Sequence, residues 1–349
     1  MADRLTVGIA GATGYTGSEL VRLLLAHPRV ELAVATSEHS EGQSIGEALP
    51  GLRNLCDLPL TRLKPEALAE RVNIAFLALP HTTSAGVAAA LVAHGTRVID
   101  LSADFRLRTT ELYETWYKVP HQAPDLLREA VYGLPELYRE RLRHAALVAV
   151  PGCYSTGAIL GVLPLLREGI VDPESLIVDA ASGTSGAGRK ADLALTFSEV
   201  HQNLKAYAVA SHRHTPEIEQ VLGEAIGRPI RVTFTPHLVP TSRGILSTIY
   251  TRCSRPVKPP TLRDCYRKTY AGEPFVRICP LGQFPETKQV LGSNYCDIGV
   301  TVDERTGWVI SVSAIDNLGK GAAGQAVQVM NLMAGLPETS GLGAAALFP

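Results

Sequence analysis

Cys153 stands in AVPGCYSTG (149–157), directly after Pro-Gly, where an apolar strand pattern gives way to a small-residue stretch that continues as a helix. A cysteine at that join sits at or just before a helix N-terminus. Unpaired N–H groups and the positive end of the helix dipole stabilise a thiolate there. A thiolate so placed is a nucleophile for covalent chemistry on acyl groups. The competing reading is a small buried packing residue, the commoner fate of a cysteine. A proton-transfer partner favours the first reading, and SHRHTPEIEQ (211–220) supplies His212 and His214 on a loop. Thr215 as N-cap and Pro216 at the first helical position then open a helix. Two imidazoles around Arg213 could move protons near neutral pH, with Arg213 or Arg189 holding an anion; the same residues could also form an exposed polar turn. No metal is expected: the six cysteines (56, 153, 253, 265, 279, 296) contain no C-x-x-C pair, and no third ligand stands close to the histidines.

A second stretch points to a cofactor. GIAGATGYTGSEL (8–20) places Gly11, Gly14 and Gly17 three apart, after a strand and opening a helix. Glycines there let the turn reverse tightly and let a pyrophosphate approach backbone N–H groups at the helix start. The spacing is G-x-x-G-x-x-G rather than G-x-G-x-x-G, so the context carries the reading of dinucleotide binding over a bland tight turn. The next strand ends VATSEHSEGQ (34–43), where Thr36, Ser37 and Ser40 could hydrogen-bond a 2′-phosphate. An NAD site would offer an acidic side chain to the ribose. Glu38 complicates the choice, but NADP is favoured.

These groups need a scaffold. In the first 150 residues strand signals (RLTVGIA, VELAVAT, NIAFLALP, TRVIDLS) alternate with helix signals (SELVRLLLAHP, SAGVAAALVAHG). That alternation predicts a Rossmann-type, doubly wound α/β dinucleotide-binding domain with a mainly parallel sheet. Beyond Cys153, SLIVDAAS, IRVTFTPHLVP, GILSTIYTRC and WVISVSAI are longer β-branched strands, predicting an α+β domain with a largely antiparallel sheet. GKGAAGQAVQVMNLMAG (319–335) predicts a closely packed helix. With 33 Lys+Arg against 34 Asp+Glu and no basic tail, nothing points to nucleic acid or an anionic membrane. There is no membrane-length apolar run and no signal-peptide pattern at the N-terminus, so a cytoplasmic location is expected.

The motifs GATGYTGSEL, LALPHTTS, DLSADFRL, VYGLPEL, VPGCYSTG, SGTSGAGRKA, HRHTPEIEQ, FTPHLVPTSRGILST, VLGSNYCDIG and DNLGKGAAGQAVQVMNLMAG run from residue 8 to about 335. Together they resemble the N-acetyl-γ-glutamyl-phosphate reductase family, of the long single-chain type, in the superfamily of aspartate-semialdehyde dehydrogenase. The resemblance implies an NADPH-dependent acyl-phosphate reductase of arginine biosynthesis, with Cys153 forming a thioester. It assigns proton transfer to His212, with His214 in reserve, and places Tyr207 near the site. It gives Gly11, Thr13, Gly14, Tyr15, Thr16 and Gly17 to the pyrophosphate. Ser182, Gly183 and Gly186 fall to the nicotinamide half and Asn317 to its carboxamide. Arg106 becomes a phosphate candidate, with Arg189 and Arg243 as further substrate-anion candidates. A homodimer or homotetramer is implied, its natural surface the antiparallel sheet. The implied domains are 1–152 with 317–349 for the cofactor, and 153–316 for catalysis and assembly. Ser155 replaces a frequent proline, and SEHSEGQ is an unusual 2′-phosphate loop. Two rivals stand beside this reading. One is a relative acting on a carrier-linked aminoadipyl phosphate in lysine synthesis; the other is a non-catalytic nucleotide-binding regulatory module.

Overall fold

The computed structural model describes residues 4–347. The chain divides into two compact units: one runs to Pro151 and takes back Ala322–Gly343, and the other is Gly152–Gly321 with the chain from Ala344.

In the first unit, seven strands form one sheet: β1 (Leu5–Ala10), β2 (Val30–Thr36), β3 (Leu60–Thr61), β4 (Ile74–Leu77), β5 (Arg97–Asp100), β6 (Val131–Tyr132) and β7 (Leu147–Ala149). Their order is β3-β2-β1-β4-β5-β7-β6, and every pairing is parallel. The order reverses between β1 and β4, which makes the end of β1 the switch point where ligands of such sheets bind. β4 is buried at every position, as a strand covered on both faces must be. The helix Gly324–Met333 completes this unit and is buried throughout. Polar ties hold it: Asn331 Oδ1 meets His27 Nε2 at 3.0 Å, and Asn331 Nδ2 donates to the carbonyls of Glu338 and Ser340.

The second unit holds β8 (Ile177–Ser182), β9 (Lys205–Ala206), β10 (Thr233–Leu238), β11 (Ile245–Arg252), β12 (Val276–Ile278), β13 (Cys296–Asp303) and β14 (Trp308–Ile315). Their order is β12-β13-β14-β11-β8-β10-β9. The centre β13-β14-β11-β8 is antiparallel, as the sequence predicts, while β12–β13 and β8–β10 pair in parallel. One face of the sheet carries the buried helix Cys153–Arg167. Its internal Pro164 leaves the Leu160 carbonyl without a helical donor, and the Tyr270 hydroxyl fills that place at 2.6 Å.

The compact units differ from the implied division at the edges: Gly152, residues 317–321 and the chain from Ala344 group with the second unit. The reason lies at Asp316 and Asn317, whose side chains are hydrogen-bonded within that unit.

Candidate active site

Cys153 is the first residue of its helix, half-buried, with Gly152 as N-cap and no side-chain cap. The Gly152 N–H instead donates to Glu217 Oε1 at 2.7 Å. Glu217 lies in the first turn of the helix Thr215–Ile226 and is only 1% exposed. The His214 ring rests on Gly152 so closely that a Cβ built there would stand 2.4 Å from its Nε2. Gly321 presses on the thiol residue in the same way, because a Cβ there would lie 2.9 Å from the Cys153 Cβ. The start of the nucleophile helix is therefore fixed by a carboxylate, an imidazole and a bare backbone.

His212 occupies a different place. Its ring lies edge-on to those of Tyr154, Tyr207, His214 and Phe234, at centroid distances of 4.7–5.7 Å. Burial, with the Arg213 charge assisting, lowers its pKa to about 4. Its Nδ1 accepts the His214 backbone N–H at 3.1 Å, so the neutral ring carries its proton on Nε2. Tyr207 joins Tyr154 hydroxyl to hydroxyl at 2.9 Å, and burial pushes its pKa up to about 12. Both phenols are neutral donors near pH 7.

The structure gives the remaining predicted residues distinct settings. Asn317 has both ends of its amide engaged: Oδ1 accepts the Gly244 N–H at 2.8 Å, and Nδ2 donates to Ser185 Oγ at 2.8 Å. It clamps two loops. Arg243 is paired through Nε with the fully buried Asp316, which also accepts the N–H groups of Gly292, Leu318 and Gly319. Arg189 is exposed on the loop after Gly188. Ser182 ends β8 with its hydroxyl on the Gly183 carbonyl, and Gly183 packs against the Ser242–Arg243 backbone. Gly186 is exposed in the turn that follows. In the first unit, Arg106 is 6% exposed, with Nε on the Val150 carbonyl and Nη2 on that of Leu101. These bonds fix the guanidinium plane while using part of its donor set.

At the end of β1, Gly11 has φ +87°, and Gly17 packs where a Cβ would meet the Gly11 carbonyl at 2.1 Å. Thr36 holds the loop from β2: its hydroxyl accepts the Gly11 N–H at 3.3 Å and its carbonyl the Ala12 N–H at 2.9 Å. Gly14 caps the helix Tyr15–Leu25 without a side-chain bond, has nothing closer than 3.7 Å where a Cβ would stand, and no acidic residue follows in the first turn. An open, uncapped helix start fits a phosphate group. Thr13 Oγ1 lies 2.7 Å from Ser37 Oγ, and Ser37 is 4% exposed. Ser40 is half-buried, and its hydroxyl has no partner among the described residues. Tyr15 is 41% exposed beside Thr16.

Sequence reasoning missed Glu217, Tyr154, Asp316 and Gly321. All four lie inside motifs it quoted. Their signal is the motif itself, since an acidic residue in a first helical turn otherwise reads as a routine dipole partner.

A parallel sheet with a glycine loop at its switch point, joined to a sheet carrying a cysteine at a helix start, defines the semialdehyde-dehydrogenase class. The family models agree: the semialdehyde dehydrogenase NAD binding domain matches residues 6–145, and the dimerisation domain matches 153–317. Solved structures with this fold include aspartate semialdehyde dehydrogenase II from Vibrio cholerae (TM-score 0.74, 19% identity, 95% of this chain and 99% of that one). Another is the Candida albicans aspartate semialdehyde dehydrogenase with NADP (TM-score 0.71, 16%, 95% and 98%). Within the class, the chain is 57% identical to the N-acetyl-gamma-glutamyl-phosphate reductase of Symbiobacterium thermophilum, over 97% of both chains. It is 54% identical to that of Citrifermentans bemidjiense, over 99% of this chain and 100% of the relative. The chain belongs to the N-acetyl-gamma-glutamyl-phosphate reductase family.

Proposed function

We propose that this chain reduces N-acetyl-γ-glutamyl phosphate to N-acetylglutamate 5-semialdehyde and releases phosphate. The observation that carries the reading is the seat of Cys153 at a helix start held by Glu217 and overlain by His214. The thiolate attacks the acyl carbon, the C–O bond to phosphate breaks, and a thioester forms on Cys153. NADPH, when bound, supplies the hydride that reduces the thioester. Collapse of the resulting thiohemiacetal oxyanion returns the thiolate and frees the aldehyde. His214, against Gly152, takes the thiol proton. His212, neutral with Nε2–H outward from its own bond, donates to the developing oxyanion. This divides between two rings the proton work that the resemblance gives to His212. Arg106 remains the phosphate ligand, its fork preset by two carbonyls.

NADPH is preferred to NADH on this reading, because the loop after β2 offers the half-buried Ser40 hydroxyl to a 2′-phosphate. Glu38, the nearest carboxylate in sequence, is exposed and accepts the Leu63 N–H at 3.5 Å. Gly11–Gly17 hold the pyrophosphate. Assembly of at least a dimer would use the sheet face opposite the nucleophile helix, where Ile177, Tyr250, Trp308 and Ile310 line a hollow of about 330 Å³. The deciding assay follows NADP⁺ reduction with N-acetylglutamate semialdehyde and phosphate. Phosphate-dependent turnover is expected from the parent chain, and loss of it from Cys153→Ala. Turnover that persists in the variant would remove the assignment.

A further inference from the structure

The helix that carries Cys153 lies on its sheet through two bare positions. A Cβ on Gly157 would stand 3.2 Å from Ser313 Oγ and 3.4 Å from Ser247 Oγ, and one on Gly161 would stand 2.5 Å from Ile249 Cδ1. These contacts fall in register, since Ser247 of β11 pairs with Ser313 of β14, and Ile249 with Ser311. The close approach lets two strand hydroxyls reach the helix backbone. Ser313 Oγ donates to the Gly157 carbonyl at 2.9 Å, and Ser311 Oγ donates to the Gly161 carbonyl at 2.6 Å. Tyr266, from the helix Pro259–Thr269, adds its hydroxyl to the Gly161 carbonyl. Both serines are buried.

These bonds are not needed to complete the helix. Gly157 and Gly161 lie inside Cys153–Arg167, where each carbonyl already has an N–H donor four residues on. Nor does every serine on this face require such a bond: Ser247 is fully buried, and its hydroxyl has no hydrogen-bond partner among the described residues. What the two bonds fix is register. Ser311 and Ser313 stand two residues apart on a strand, about 6.8 Å, and Gly161 and Gly157 four apart on a helix, about 6 Å. The spacings match, and they run in opposite chain directions. One further repeat carries the helix to Cys153 and the strand to Ile315, the last residue of β14. There the chain turns, with the Gly321 N–H on the Asp316 carbonyl at 3.0 Å, and Gly321 meets Cys153. The contacts close a circuit, from the thiol down the helix to Ser313 and back along the strand to Gly321.

We propose that Ser313, with Ser311 one turn further down the helix, is a positioning residue for Cys153. Its bond to the helix carbonyl sets where the thiol stands against Gly321. The role rests on the reaction proposed above only for the identity of Cys153 as nucleophile. A helix that slips or rolls still folds and leaves the substrate contacts in place, but it presents sulfur off the line of attack. Misplacement by about 1 Å can cost about a hundredfold in rate.

The test compares two serine-to-alanine variants of the intact chain. Ser313→Ala removes the bond to Gly157 and leaves that carbonyl its helical donor, so no buried acceptor is orphaned. Ser247→Ala is the control, equally buried and beside the same glycine but without a bond to the helix. In the assay with semialdehyde, phosphate and NADP⁺, Ser313→Ala should lower kcat about tenfold and leave each KM within about twofold. Amide hydrogen exchange across residues 156–161 should quicken by about tenfold, the scale of one lost hydrogen bond. Ser247→Ala should match the parent in both measurements. Equal losses in the two variants would make lost packing the cause and overturn the proposal. So would parent-like kcat in Ser313→Ala, or a raised KM with kcat unchanged. If the parent itself shows no turnover, the reaction fails, and the exchange contrast alone decides whether Ser313 holds the helix: equal exchange in the two variants overturns it.

Discussion

At Cys153 the decisive groups come from elsewhere in the chain: a carboxylate on the preceding amide, an imidazole on the preceding Cα and a bare glycine alongside. Cys153→Ser preserves this packing but replaces a thiolate with a hydroxyl scarcely ionised near neutrality. Turnover should fall by about four orders of magnitude, with unchanged NADPH binding and unfolding midpoint. The two histidines should separate under pH. The folded value for His212 lies near 4, below the 6.5 of an unperturbed imidazole, so the unfolded chain takes up the proton first. The stability that depends on a neutral His212 is complete above pH 6.5 and is lost as pH falls toward 4. His212→Asn should flatten the urea-unfolding stability curve across that window. His214→Asn should leave the window steep and lower kcat by about a hundredfold, the usual cost of one proton-transfer group. A reversed pattern would exchange their roles.

The elements that carry these residues differ in how plainly the sequence announces them. β1, β2, β4 and β5 are legible as apolar runs bounded by turns, and the nucleophile helix follows from its Pro-Gly start. The two-residue strands β3, β6 and β9 are too short for any periodicity to mark them, and β13, in CDIGVTVD, passes without a strand signal strong enough to be singled out. Cys153 and both histidines could be named in advance because their chemistry is rare at such positions. Asn317 and Arg243 were harder: a polar side chain reads alike whether it meets a ligand or clamps two loops, and here Asn317 clamps. The same contrast sharpens the cofactor loop. Ser37 is buried against Thr13, so Ser37→Ala should loosen the glycine loop and weaken NADPH and NADH together. Ser40→Ala should weaken NADPH alone, by about fivefold to tenfold for one hydrogen bond to a charged group. Calorimetry with both dinucleotides distinguishes these outcomes. Gly321→Ala tests the nucleophile helix in turn. The added methyl would press on the Cys153 Cβ, lowering kcat far more than it raises KM, a split read from steady-state kinetics.

In the whole molecule, the sheet face bearing Tyr250, Trp308 and Ile310 leads to a prediction about assembly. A charge there would be desolvated at an interface, so Ile310→Asp should reduce the sedimentation coefficient to that of a monomer while far-UV circular dichroism is retained. An unchanged coefficient would place the contact elsewhere. The discontinuous first unit has a consequence of its own. Its buried helix Gly324–Met333 is made after Gly152–Gly321, the main body of the second unit, which lies between its parts. On the ribosome, the unit whose strands emerge first must therefore wait for its last helix, while the later unit has all but its closing residues in hand sooner. During that interval the apolar floor meant for Met330 and Val327 lies open beside His27 and Arg97, the groups that later tether the helix. The order of synthesis thus reverses the order of completion, and the unfinished glycine-loop unit is where nascent chains would most need a chaperone.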